Sequence, residues 1–463
     1  MKQPRLTLAQ GPLAGLFGHG TLVALAIFIA VNAAIAVFTV QGAVLEHGSD
    51  VGTWYRPALG LLKYGGFVDP DDPSKYLTIR PPFYPMLIAL LLRVTGTLWS
   101  LVVTQLALLF ATGLVARAIT ERLLPGYGCL VMLLVVFNPS AIGVAHVLGS
   151  DTLYAFVFAL LFWAVVEFAY RPAWRPALAT GALLGASLLV RNPLEALLPL
   201  WPVVMTVLAV IAGGRNLWTR ALLLGIAATV LAYAITVPWI AYKYRANEGF
   251  DLTSQEQKAW FLRKQVVYLE HCRSGLPNNL ARDNRTEERK AHLAEIPGFE
   301  RMTERQQANY VINDSIARMR TYSVRNYVCA LTSGWALMYG SPGVSNLSLL
   351  FGEVSQGTIA YLRWNRFAEY FRKVPPATIV ITVIGLAYVI LVRLLNLFGA
   401  IAMVRRRAWV PLLTMFGAMT YLTLIMLFNG AARFRLPLDP LLFIIAAYGV
   451  AELRERWFKP ASG

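Results

Sequence analysis

Two acids, Asp50 and Asp151, each stand at the edge of a long apolar segment, and such positions suit proton transfer better than packing. A carboxylate there can accept a proton or bind a polar ligand. Taken alone, Asp50 could equally be a solvated loop acid or a helix cap. Asp151 could be an ordinary capping residue at the start of a helix. If both acids lie on the same face of the membrane, they predict a shared catalytic site.

Four arginines complement these acids, because a guanidinium group can bind a phosphate with two parallel hydrogen bonds. Arg80 precedes Pro81-Pro82, which stiffens the chain, and Arg191 lies at the end of an apolar segment. Arg433 and Arg435 occupy a loop near the C-terminus. Arg80 could instead snorkel to lipid phosphate, which needs no substrate. We interpret the four as a site for a phosphate-bearing lipid.

Aromatic and histidine side chains accompany the acids in sequence. His47, Trp54 and Tyr55 flank Asp50, and Tyr84 follows Arg80. Aromatic rings can stack on a sugar, and a histidine can bind a sugar hydroxyl. The same residues are equally typical of an aromatic belt at the membrane interface and of a surface loop histidine. We expect the four to contribute to substrate binding.

The composition indicates an all-α polytopic membrane protein. Of 463 residues, 57% are hydrophobic and 14% charged, whereas about a quarter of the residues of a soluble domain are charged. The apolar runs of about 18–25 residues are long enough to cross a bilayer. The net charge of +17 is scattered between these runs, which indicates contact with membrane lipids and argues against a nucleic-acid partner.

The hydropathy and loop charges together predict about ten transmembrane helices with both termini in the cytoplasm. We expect the membrane to be the bacterial cytoplasmic membrane, with the acids on its outer face and the first span kept as an anchor. The predicted spans are 21–41, 98–118, 128–147, 152–170, 177–190, 193–212, 218–241, 377–402, 409–428 and 437–452.

Three regions follow from this topology: an N-terminal membrane module 1–241 with a first outer loop 42–97, an extracytoplasmic helical region 242–376, and C-terminal membrane helices 377–463. Residues 83–95 and 324–340 are apolar, but a crossing at either place would move arginine clusters to the wrong side. We therefore expect interfacial helices there.

Cys272 and Cys329 both fall in the predicted extracytoplasmic region and could form a disulfide in an oxidising compartment.

Taken together, four motifs resemble the GT-C superfamily of integral-membrane glycosyltransferases, specifically the branch of protein O-mannosyltransferases and the lipid A aminoarabinose transferase. The resemblance covers most of residues 20–200 and, more loosely, the last spans. The motifs are Ser49-Asp50 with Tyr55, Ala58 and Gly65-Gly66-Phe67; Arg80-Pro81-Pro82-Phe83-Tyr84-Pro85; Ser150-Asp151-Thr152-Leu153-Tyr154 with Gly181-Ala182-Leu183-Leu184-Gly185 and Leu189-Val190-Arg191-Asn192-Pro193; and Arg433-Phe434-Arg435-Leu436-Pro437.

The resemblance implies roles for three residues. Asp50 matches the family's catalytic acid, Asp151 matches a second acid, and Arg80 takes the place of a residue that holds the lipid phosphate. The implied reaction moves a sugar from a polyprenyl-phosphate donor to a hydroxyl or amine of a lipid, glycan or protein. We expect inversion at the anomeric carbon, with Asp50 as general base. Family members often carry a C-terminal soluble domain, whereas this chain ends at Gly463.

The same acids bear on cofactors and on competing functions. Asp50 and Asp151 could share a divalent metal, but two carboxylates alone are a weak signal, so we predict no cofactor and no metal dependence. A transporter or flippase of polyprenyl-linked sugars would predict ionisable residues inside the spans, and the spans look nearly free of them. An O-antigen ligase-like transferase and a structural subunit without chemistry are two further hypotheses.

Overall fold

The computed structural model describes residues 18–38, 51–246, 249–276, 278–351 and 376–457, which are mostly helical and contain no β-strand. The α-helices of this part, α1 to α18, are His19–Phe38, Val51–Tyr64, Phe83–Thr95, Trp99–Leu123, Gly128–Val136, Pro139–Ala145, Asp151–Tyr170, Trp174–Val190, Trp201–Gly213, Trp218–Arg245, Gln255–Ser274, Asn278–Ala294, Glu304–Met319, Val324–Gly340, Ser345–Leu350, Pro376–Arg405, Trp409–Met426 and Asp439–Trp457.

Seven helical stretches within the described residues are long and apolar enough to cross a membrane, so the chain is a multi-pass membrane protein. They correspond to α1, α4, α7, α10, α16, α17 and α18. The pair α5 and α6, bent by 51°, forms an eighth if it is one span. The predicted all-α polytopic fold is confirmed. The predicted number of about ten spans is approximate, because α8 and α9 have only 17 and 13 residues and are short for a full crossing.

The bend between α5 and α6 has a local cause. Pro139 stands in the first turn of α6, where its missing N–H costs no helical hydrogen bond. The Asn138 side chain caps that turn by accepting a hydrogen bond from the main-chain N–H of Ser140, at 3.1 Å. The predicted span 128–147 is therefore two helices rather than one straight helix.

Small residues let the membrane helices approach closely. A Cβ at Gly181 of α8 would collide with the main-chain oxygen of Ala228 in α10, and one at Gly399 of α16 would collide with that of Ile445 in α18. Without water to drive association, transmembrane helices depend on such close packing. The Gly181-to-Gly185 motif is thus a helix-packing surface in this structure.

The region 242–376, here named the outer region after its predicted side, contains α11 to α15 among its described residues. A disulfide joins Cys272 of α11 to Cys329 of α14, with the two Cα atoms 6.0 Å apart, so the pairing left open by the sequence is present. Helix α14 covers 324–340 and begins with a capping box between Ser323 and Asn326. With 17 residues this helix is not among the candidate spans of the described residues, and its interfacial position stays a prediction.

The first outer loop packs onto the bundle through α2 and α3. Residues 83–95 form the helix α3, which starts directly after Pro82, and its interfacial position stays a prediction. Its buried face, which includes Tyr84 and Ile88, meets Trp54 and Ala58 of α2 in a separate apolar cluster. This cluster positions the residues that the sequence marks as functional.

Candidate active site

Arg80 is held between two tryptophans. Its side chain is buried, with 8% of the residue exposed, and its Nε donates a hydrogen bond to Thr53 Oγ1 at 3.0 Å. The guanidinium carbon lies 5.0 Å from the ring centroid of Trp54 and 5.7 Å from that of Trp260. Cation–π contacts of this kind fix the plane of the guanidinium. Thr53 and Trp54 belong to α2, which directly follows Asp50 in the sequence.

Tyr84 connects this arginine to the turn that precedes Asp151. The rings of Trp54 and Tyr84 meet edge to face, with centroids 5.2 Å apart. Tyr84 Oη accepts a hydrogen bond from the main-chain N–H of Gly149 at 2.8 Å and donates one to Gln105 Oε1 at 2.9 Å. Gln105 in turn donates to two main-chain carbonyls of the same turn. Burial, with the nearby charge of Asp151, raises the pKa of Tyr84, so its hydroxyl stays protonated.

Asp151 and Arg191 form an ion pair at the same end of the bundle. Asp151 is the first residue of α7, and Arg191 directly follows the last residue of α8. The guanidinium carbon of Arg191 lies 5.5 Å from the ring centroid of Phe434, and that of Arg433 lies 5.2 Å from the same ring. Two of the four predicted motifs, the one that holds Asp151 and Arg191 and the one that holds Arg433, therefore meet around one acid.

Two hydroxyl groups beside Asp151 have unmet hydrogen-bonding capacity. Ser150 Oγ and Thr152 Oγ1 are buried and have no hydrogen-bond partner among the described residues. Buried polar groups are rarely left without a partner, so we expect ordered water or a polar ligand to reach this turn.

Contacts link Arg80 to Trp54, Trp54 to Tyr84, and Tyr84 to the turn at Gly149 that precedes Asp151. Asp151 pairs with Arg191, and Arg433 joins Arg191 through Phe434. Tyr55 is partly buried and packs on the apolar cluster of α2 and α3. Asp50 and His47 lie outside the described residues, so their predicted roles stay predictions.

Trp54 and Tyr84, which we predicted to contact substrate, are both buried in the structure. Trp54 is 3% exposed and Tyr84 is 0% exposed, so neither ring is open to a sugar in this conformation. Trp54 supports Arg80 and Tyr84 supports the turn at Gly149. We therefore reassign both as positioning residues. Periodicity and composition do not distinguish a supporting aromatic residue from one that contacts a ligand.

Arg435 also has a different role from the predicted phosphate ligand. It is 2% exposed, and its Nε donates to Asp439 Oδ1 at 2.8 Å. Its Nη1 donates to the main-chain oxygens of Met338, Tyr339 and Ser341 at the end of α14. Because these bonds engage the buried guanidinium, a phosphate would have to displace protein contacts. In this structure Arg435 ties the outer region to α18.

Sequence reasoning missed two cationic features. Lys264 of α11 lies over Trp260, with Nζ 3.7 Å from the ring centroid, so the outer region brings a second cation near Arg80. Arg393 lies inside the span α16, and its Nε donates to the main-chain oxygen of Tyr339 at 3.0 Å. The prediction that charged residues are nearly absent from the spans except at their ends is therefore wrong at Arg393. Arg393 was visible in the sequence as the one arginine between 377 and 402.

The described residues offer no cluster of three His, Cys, Asp or Glu side chains that could hold a metal ion. Asp50 lies outside this part of the chain, so metal independence stays a prediction. The polar groups that the described site does offer are guanidinium, carboxylate and hydroxyl groups. They suit binding of a phosphate and of sugar hydroxyls.

No family model and no curated protein matches this chain. Two solved structures are similar to it. One is ArnT from Cupriavidus metallidurans bound to undecaprenyl phosphate, with a TM-score of 0.41 and 17% identity over 93% of this chain and 77% of that chain. The other is the apo state of the same protein, with a TM-score of 0.40 and 16% identity over the same shares.

Both structures are of the same protein, ArnT, and the likeness to it concerns the fold. A similarity at this level of identity does not assign an activity to the chain.

Proposed function

We propose that this protein is a membrane glycosyltransferase that moves a sugar from a polyprenyl-phosphate donor to a hydroxyl or amine acceptor. The observation that carries the proposal is the series of contacts from Arg80 through Trp54 and Tyr84 to the turn before Asp151, and from Asp151 to Arg191. It gathers two arginines and an acid at one end of the bundle, next to the segment that begins after Asp50.

The proposed reaction is a single displacement at the anomeric carbon. A lone pair of the acceptor oxygen or nitrogen forms the new bond while the bond from carbon to phosphate oxygen breaks. The polyprenyl phosphate leaves with that electron pair, and the acceptor proton passes to Asp50. General base catalysis of this kind is worth about 10²–10⁴-fold. One displacement inverts the anomeric configuration.

Charge compensation of the leaving phosphate is the proposed task of Arg80, Arg191 and Arg433. A phosphate ester needs no protonation to leave, but its developing charge must be stabilised. The two tryptophans around Arg80 exclude water, and a lower local dielectric strengthens attraction between guanidinium and phosphate. In this proposal Asp151 acts by orienting Arg191, since its carboxylate is already paired.

The site is proposed to face the non-cytoplasmic side of a bacterial membrane. Trp260, which contacts Arg80, belongs to α11, and the same helix carries a cysteine of the Cys272–Cys329 disulfide. Disulfides persist in oxidising compartments and are rare in the cytosol, which supports this orientation. In this proposal Trp260 and Lys264, which lie beside Arg80, contact the acceptor.

A transporter or flippase of polyprenyl-linked sugars is the second candidate, and Arg393 is the observation that favours it. Its Nη1 is buried without a hydrogen-bond partner among the described residues, inside the span α16. An ionisable residue at such a position often lines a path for a polar substrate. In this structure, however, Arg393 also anchors the end of α14 through Tyr339, which needs no transport.

Turnover by purified protein tests the proposal. The protein in nanodiscs would receive a panel of polyprenyl-phosphate sugars and extracts that contain lipid, glycan and protein acceptors, and free polyprenyl phosphate would be measured. Release that depends on acceptor, with a matching amount of glycosylated product, is the expected result. The transporter would be favoured if the protein binds the donor tightly and moves it intact between leaflets without releasing free polyprenyl phosphate.

A further inference from the structure

A groove of about 750 Å³ lies between α7 and α8, at the opposite end of α7 from Asp151. Helix α7 has 20 residues, so the two ends are about 30 Å apart at a rise of about 1.5 Å per residue. The groove is separate from the candidate active site. Its floor is apolar and its rim carries arginine and tryptophan; the lining includes Leu160, Ala179, Leu183, Trp163, Trp174 and Arg175.

The rim carries uncompensated positive charge. Arg171 and Arg175 both line the groove, are exposed, and have no side-chain partner among the described residues. The one acid among the lining residues, Glu167, is paired with Arg122 of α4. An anion at the rim would compensate the charge of the two exposed arginines.

The apolar floor restricts which anion fits. Trp163 and Trp174 place the rim at the depth of the membrane interface, where tryptophan is enriched. Leu160, Ala179 and Leu183 continue from the rim toward the membrane interior and suit an acyl chain. A soluble phosphate would leave this surface uncovered, whereas a lipid supplies both a charge and a chain.

We propose that the groove binds an anionic glycerophospholipid. Its phosphodiester lies between Arg171 and Arg175, and one acyl chain lies on the floor formed by Leu160, Ala179 and Leu183. The two arginines supply bidentate donors to the phosphate oxygens. The lipid is a ligand of the protein rather than a substrate, so the site is independent of the proposed reaction.

Lipid counting on the full-length protein tests this site. The detergent-solubilised protein is titrated with phosphatidylglycerol, and bound lipids are counted by native mass spectrometry, with phosphatidylcholine as the zwitterionic comparison. We expect preference for phosphatidylglycerol, and at least about tenfold weaker binding at the tightest site in R171Q/R175Q, since both cations that attract the anionic headgroup are lost. The matched control R215Q/R220Q, which removes two exposed arginines outside the groove, retains that affinity.

A second variant separates the groove from surface charge in general. Ala179→Phe keeps both arginines and fills the floor, so we expect it to weaken phosphatidylglycerol binding as well. Unchanged affinity in Ala179→Phe or in R171Q/R175Q would overturn the proposal, and so would displacement by inorganic phosphate at equal concentration. Unchanged melting temperature and elution volume show that each variant is folded.

Discussion

Asp151 and Arg191 form an ion pair that joins the first residue of α7 to the residue following α8. The two side chains are 7% and 14% exposed, respectively, so the pair is mostly withdrawn from water. Removal of one partner would leave the other charge buried and unpaired, which is more costly than loss of the attraction itself. The pair therefore fixes the relative position of two helix ends at the candidate site.

Asp151→Asn and Arg191→Gln are each expected to destabilise the protein by about 3 kcal/mol, because each leaves a buried charge without its partner. The double variant should lose clearly less than the sum of the two single losses. Thermal unfolding of wild type, both single variants and the double variant in one detergent gives the stabilities for this double-mutant cycle, and turnover is measured in parallel. Additive losses would mean that the pair is not coupled in solution.

Arg80→Gln is expected to lower kcat/KM for the donor by about 10²-fold, the usual effect of removing one preorganised donor to a developing anion. Arg80→Lys should recover only part of the loss, because a lysine keeps the charge but not the planar fork. Arg56→Gln is the matched control, since Arg56 lies in the same outer loop and pairs with Asp69 and Asp71 at the surface. Equal effects of Arg80→Gln and Arg56→Gln would contradict the assignment.

Replacement of Cys272 and Cys329 by serine is expected to destabilise the outer region by about 2–4 kcal/mol through greater freedom of the unfolded chain. The comparison is Cys129→Ser, since Cys129 is free. Unfolding of each variant with and without reductant gives the measurement. If reductant affects wild type and the double variant alike, the disulfide is absent in the isolated protein.

Gly399→Ala is expected to lower the melting temperature, because its Cβ would collide with the main-chain oxygen of Ile445 in α18. Gly417→Ala is the matched control in the neighbouring span α17, where an added Cβ meets nothing within 4 Å. This second change should be neutral or slightly stabilising, because alanine favours a helix more than glycine does. Equal melting temperatures for both variants would argue against close packing of α16 on α18.

The helical membrane fold could be predicted because long apolar runs in a chain with few charges are compatible with few other folds. The irregular places could not be predicted in the same way. The bend at Asn138-Pro139 depends on a capping bond, and the span predicted at 193–212 shortens to a helix that begins only at Trp201. Hydropathy averages over a window and does not resolve either feature.

The candidate site was predictable in its residue types but not in their contacts. Charge and sidedness marked Arg80, Asp151 and Arg191; the structure shows the contacts of all three, and their roles stay predictions. Spacing does not show that Trp260, 180 residues after Arg80, lies against the guanidinium of Arg80. It also does not show that Arg435 donates its hydrogen bonds to Asp439 and to main-chain oxygens. Such contacts follow from tertiary packing, which a single sequence does not display.

The most direct test of the central proposal is the kinetics of Asp50→Asn with a donor that wild-type protein turns over. We predict that kcat falls by about 10²–10⁴-fold while the dissociation constant of the donor is unchanged, because the carboxylate acts on the acceptor proton and not on the lipid phosphate. Asp72→Asn, an exposed acid of the same outer loop, should behave as wild type. Full turnover by Asp50→Asn would contradict the assignment of Asp50 as the general base.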